Sequence, residues 1–143
     1  MSLFVIADPH LSFSSNKSMD IFKGWSDYTS RLRDNWQSAV SENDTVVVPG
    51  DISWAMNIEE ALNDFKFLNS LNGRKIILKG NHDYWWTTAR KMERYLTENG
   101  FDTMHILHNN ACMVGDYALC GTRGWPFDDT NAQDAKIMAR EAG

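Results

Sequence analysis

Cysteine is scarce in this 143-residue chain: Cys112 and Cys120 are the two present, which is neither a disulfide framework nor the spacing of a thiolate zinc site. Proline occurs three times, and no low-complexity tract, linker or internal repeat breaks the composition. Long apolar runs are missing as well. The longest early one, Leu3 to Ala7, has no basic leader and is far too short for a signal peptide or a spanning helix, so a cytoplasmic location without a membrane partner is expected. Nor is there a basic run. Fourteen Lys and Arg against nineteen Asp and Glu give a net charge of −5, which argues against non-specific binding to nucleic acid or to an anionic membrane. What is there, 43% hydrophobic and 23% charged residues, is the make-up of one soluble globular domain over residues 1–143.

The organisation is an alternation. Leu3 to Ala7, Val46 to Val48 and Ile76 to Leu78 are apolar runs of strand length, suited to strands covered on both faces. Between them lie helical periods. Ile21, Phe22, Trp25, Tyr28, Leu32, Trp36 and Val40 predict a helix over roughly residues 19 to 41. Asn57 and Glu60 open a second in a cap-box arrangement, which stops at Asn72-Gly73. A third runs from about Thr88 to Asn99 and ends at Gly100. Strand-helix alternation of this kind means right-handed crossovers and an α/β fold with a mainly parallel sheet.

After Gly100 shorter strands are expected at about 103 to 107, 111 to 114 and 117 to 120. A Gly115-Asp116 turn pairs Val114 with Tyr117, Met113 with Ala118 and Cys112 with Leu119, which puts Cys120 on the other face from Cys112 and disfavours a bridge between them. Both cysteines read as buried small hydrophobes. The loop Arg123 to Phe127 then leads to a helix from about Asn131.

The chemistry gathers at the strand ends. The first run ends in Asp8-Pro9-His10, the second in Gly50-Asp51, the third in Gly80-Asn81-His82-Asp83. In a parallel sheet neighbouring carboxyl ends lie side by side, so the three segments converge on one crevice. Asp8 and His10, two apart in a locally extended segment, leave on the same side and can hold one ion together. Taken singly each segment has an ordinary reading, since an Asp after a strand caps or turns and Gly-Asp is a common turn pair. Three in this order point to a metal and phosphate site.

In residues and order these segments resemble the calcineurin-like metallophosphoesterases, whose signature runs D-x-H, G-D, then G-N-H-D or G-N-H-E. The likeness covers about residues 3 to 125 and, through Trp54, Tyr84-Trp85-Trp86 and Gly121 to Phe127, is closest to the family's bacterial phosphohydrolase branch. It implies the N-terminal half of an αββα sandwich, parallel sheet with crossover helices plus a C-terminal hairpin. It further implies that Asp8 and His10 bind a first ion, Asp51 bridges two, Asn81 binds the second, and His82 faces the phosphate. The expected reaction is hydrolysis of a phosphomonoester or phosphodiester by a hydroxide shared between two divalent ions. His82 suits the role of acid or transition-state stabiliser, and the oxygen and imidazole donors favour Mn, Fe or Zn.

Two family features are missing: a histidine after a later strand and a closing G-H-x-H segment. His105 and His108, the two histidines left over, read as structural or edge residues. The expectation is therefore a truncated domain, the N-terminal portion of a longer phosphoesterase, weakly active or inactive alone, with a poor second ion site and an uncovered apolar sheet face that invites self-association. The alternative is a non-catalytic α/β interaction module that keeps the turns. Trp54 and Tyr84 to Trp86 read as core or as a stacking wall, and Arg123 as a solvated surface residue or a phosphate contact.

Overall fold

The computed structural model describes residues 1–125 and 131–142; Pro126 and Phe127, the end of the loop noted above, lie outside the described residues. The apolar runs form parallel strands β1 (Leu3–Val5), β2 (Thr45–Val48) and β3 (Arg74–Ile77), and β4 (Met104–Ile106) completes a sheet in the order β1-β2-β3-β4. The connections carry α1 (Tyr28–Ala39), α2 (Leu62–Ser70) and α3 (Ala89–Glu98). Because the strand order never reverses, right-handed crossovers put every connecting helix on one face of the sheet. The main core has that composition: Val46, Val48, Ile77 and Met104 from the sheet pack with Trp36, Phe65, Leu68, Met92 and Leu96 from the helices.

The other face is closed by a hairpin. Strands β5 (Asn110–Val114) and β6 (Tyr117–Gly121) pair in the expected register, Val114 with Tyr117, Met113 with Ala118 and Cys112 with Leu119. Val114, Cys112 and Leu119 pack on Val47, Ile76, Leu78 and Leu107. The chain continues into α4 (Ala132–Ala142). No described helix is long and apolar enough to cross a membrane.

Three expectations are corrected. The helix placed over 19 to 41 begins only at Tyr28, after a 3-10 turn at Met19–Ile21 that Ser18 caps. Gly24 and Asp27 take left-handed conformations, φ 88° and 54°, which no helix accommodates. Ile21 is consequently 80% exposed rather than on the buried face. The Asn57–Glu60 pair makes its reciprocal bonds, Glu60 N–H to Asn57 Oδ1 and Asn57 Nδ2 to Glu60 Oε1, both 3.0 Å, yet the α-helix starts later, at Leu62. Lastly, the hairpin covers β2 to β4 but not β1, whose Leu3 and Val5 are 46% and 67% exposed. The uncovered apolar face is thus confined to one edge strand. The cysteines are free as expected, but Cys112 is half-buried and Cys120 exposed.

One residue breaks the apolar pattern of β3. Lys75 is fully buried, its Nζ donating to the carbonyls of Leu71 and Gly73 at 2.5 and 2.8 Å. Burial lowers its pKa to about 8. A folded-state value below the unfolded one means the unfolded chain holds the extra proton between about pH 8 and 10.5, so this residue makes stability rise with pH across that window. Urea unfolding of wild type and Lys75→Met should show that rise in the wild type and its loss in the variant.

Candidate metal centre

The β1–β2 ladder does not stop where the strands do. Asp8 N–H donates to Gly50 O at 3.2 Å, His10 N–H to Asp51 O at 3.0 Å, Leu11 N–H to Ile52 O at 2.8 Å, and Trp54 N–H to Leu11 O at 2.9 Å. The two post-strand loops therefore run side by side, which sets Asp8 and His10 against Asp51. Their backbone is not extended, as the sequence suggested. Asp8, His10 and Asp51 have φ of 56°, 44° and 51°, a left-handed region costly to residues with a Cβ and concentrated at functional sites. That twist, rather than strand alternation, aims the side chains. Asp8, His10 and Asp51 each bring one ligand atom within 4.8 Å of the others.

The third loop is fastened by Asp83. Its carboxylate, 1% exposed, accepts from the amides of Asp51 and Ile52 at 2.8 Å, Ser53 at 3.4 Å and Gly80 at 2.7 Å. Burial pushes its pKa up to about 6 against those donors, which leaves it ionised at neutral pH. Gly50 and Gly80 permit the approach: a Cβ on either would collide with the backbone of the other loop. Held in this way, His82 donates its backbone N–H to Asp51 Oδ1 at 2.9 Å and sets Nδ1 2.8 Å from Asp51 Oδ2. Asn81 is exposed on the same turn.

The electrostatics suit a cation. His10 is stacked on Trp54, ring centroids 4.6 Å apart and planes 14° from parallel, and the Tyr28 hydroxyl donates to its carbonyl at 2.8 Å. Burial lowers its pKa against the pull of Asp51 and Asp8, with His82 adding to the lowering, so the ring is neutral at pH 7. Its Nδ1 is buried without a hydrogen-bond partner, an unusual state for a buried polar atom, while its Nε2 lies 4.0 Å from Asp51 Oδ2 and is the nitrogen turned toward the cluster. Burial also acts to raise Asp51, but the hydrogen bonds from His82 and the His82 and His10 rings outweigh it and hold the carboxyl below its ordinary range. Two carboxylates and an imidazole are a donor set that fits a divalent metal ion.

Asp8, His10, Asp51 and His82, all singled out from sequence, are thus brought together, while no side-chain contact ties Asn81 to them. Trp85 and Trp86 are core residues, 1% and 7% exposed, whereas Tyr84 is 55% exposed and stands edge-on to His82. His105 lines a surface cleft with Arg74, and His108 another beside Trp86, neither at the cluster. Sequence reasoning gave no role to Asp83 or Asp64. Asp64 is buried, accepts from the Phe13 amide at 2.8 Å and from the Ser53 hydroxyl, and fixes the loop after His10. Its signal was an acid on the inward face between Ala61, Phe65 and Leu68.

Parallel strands whose carboxyl-end loops gather acids and histidines define a class, α/β domains with a candidate metal-binding group. A family model described as calcineurin-like phosphoesterase matches residues 1–136, and the chain belongs to that family. No curated protein sequence matches it. Among solved structures, a protein of unknown function from Aquifex aeolicus is similar, with 21% identity and a TM-score of 0.55 over 99% of this chain and 72% of that one. At that identity the likeness concerns the fold.

Asp83→Ala should strand four backbone donors in the interior and cost about 3 kcal/mol or more in urea unfolding. Asp83→Asn keeps one acceptor oxygen and should fall between the two.

Proposed function

We propose that this chain is a metal-dependent phosphoesterase that hydrolyses a phosphomonoester or phosphodiester. The observation that carries the reading is the convergence of Asp8, His10 and Asp51 within 4.8 Å of one another, with His82 on Asp51 beside them. Asp8, His10 and Asp51 would hold a first divalent ion, and Asp51 with Asn81 would offer donors to a second. When bound, such ions neutralise the charge on phosphate oxygens and acidify water.

The protein's own groups supply the rest. A neutral His10 presents a lone pair without first losing a proton, and Trp54 keeps its ring in place. His82 stands 39% exposed at the open side of Asp51. With Nδ1 engaged by Asp51 Oδ2, Nε2 is the ring atom left to serve a leaving oxygen. Asp51 and Asn81 alone would hold a second ion weakly, so turnover should be slow and should increase with added metal.

Two measurements test this. Asp51→Asn should lose both bound metal and hydrolysis of an aryl phosphate in the presence of Mn. His82→Ala should keep its metal content while kcat drops by about a hundredfold or more. Metal-free wild type after dialysis against Mn, with no metal retained by elemental analysis, would sink the reading.

A further inference from the structure

The turn that carries Asn81 and His82 is bordered on its other side by a basic cleft of about 520 Å³. Lys79, the residue before that turn, lines it together with Arg90, His108, Arg123 and Arg140, against the single acid Glu141. Arg140 is paired with Glu141 at 2.9 Å. Among the described residues, Lys79, Arg90 and Arg123 have no carboxylate within salt-bridge distance.

Arg123 is the informative member. Its guanidinium lies over the Trp125 ring, 4.0 Å from the centroid, and its Nε is buried without a hydrogen-bond partner. The residue is half-buried rather than solvated. An arginine donor held out of water beside other cations favours an anion there, and Glu141, whose charge also reaches Arg123, is shared with Arg140. Burial and the neighbouring Arg123 and Arg140 charges lower the Lys79 pKa, which records that mutual repulsion. The start of α3, at Ala89 and Arg90, opens into the same cleft, and first-turn amides favour an anion there. Guanidinium groups grouped in this way match the tridentate oxygens of a phosphoryl group.

We propose that this cleft binds a phosphate-type dianion and, resting on the phosphoesterase reading above, that it receives a second phosphoryl group of the substrate whose ester is presented at Asp51 and His82. The substrate class is then an organic phosphate bearing two separated phosphoryl groups. Lys79 of the cleft directly precedes Gly80, where a Cβ would collide with Asp51 Oδ1, so the two positions are near enough for one molecule to span.

The cleft is tested first without metal, on full-length protein passed over chelating resin, where the acidic cluster repels anions. Calorimetric titration with inorganic pyrophosphate should give saturable one-to-one binding that weakens at least about tenfold in Arg90→Gln and in Arg123→Gln. Arg90 is exposed, so its variant keeps the test meaningful even if Arg123→Gln misfolds. No saturable binding, or equal affinity in wild type and Arg90→Gln, overturns the site. With Mn added, an aryl phosphate carrying a phosphonomethyl group on its ring should exceed the plain aryl phosphate in kcat/KM by about tenfold or more, and Arg90→Gln should bring the ratio near one. Pyrophosphate binding with a wild-type ratio near one overturns the substrate assignment and leaves a site for free phosphate. Pyrophosphate binding with neither ester hydrolysed counts against the phosphoesterase reading alone.

Discussion

The buried carboxylate of Asp83 is what makes one site out of three loops. A β-sheet aligns strands through backbone hydrogen bonds, but past the strand ends those bonds give out and each loop is free to leave in its own direction. Here the first two loops continue their ladder from Asp8 to Trp54. The third has no such ladder and is tied instead by Asp83, which accepts from Asp51, Ile52, Ser53 and Gly80. An ionised oxygen with several amide donors is worth far more in the interior than a neutral bond on the surface. The same low dielectric makes it costly to remove. Fixing Asp83 fixes Gly80, and fixing Gly80 against Gly50 leaves His82 no place but beside Asp51.

The fold sets up that arrangement by segregation. With strand order running in one direction, helices crowd one face, and the β5–β6 hairpin is left to cover the other. The carboxyl ends of β1, β2 and β3 remain unobstructed, so the residues there can serve chemistry instead of packing. Left-handed φ at Asp8, His10 and Asp51 is the local cost, and each of these residues contributes to the cluster. Strain distributed in this way has a function-related cause that packing alone would not select.

The strands, their parallel order and the hairpin register could be read from apolar runs and turn residues, since both report local backbone preference. The first helix could not. Its apolar spacing continued through Phe22 and Trp25, and periodicity carries no information about a left-handed Asp27 or a Gly24 that breaks the turn. The ligand cluster was legible because its residues follow strands directly. Asp83 stood in the third segment, but its service to backbone amides in a distant loop left no trace there, and Asp64 was betrayed only by its place on an apolar helix face. Arg123 was left between a solvated surface residue and a phosphate contact for a related reason, since the Trp125 ring beneath it and the half-burial of the residue are properties of tertiary packing.

Charge is divided across a single turn. On one side stand Asp8 and Asp51, on the other Lys79, Arg90 and Arg123, and residues 79 to 90 carry the boundary between them. An acidic cluster next to unpaired cations would ordinarily neutralise itself by side-chain pairing, yet Asp51 pairs with His82 and Asp83 with backbone amides. Those two partnerships keep the carboxylates from the arginines. Asp51 Oδ2 faces both imidazoles, 2.8 Å from His82 Nδ1 and 4.0 Å from His10 Nε2. Both rings thereby meet the acidic cluster at one oxygen atom, while the basic side of the turn is left to hold the rest of an anionic molecule.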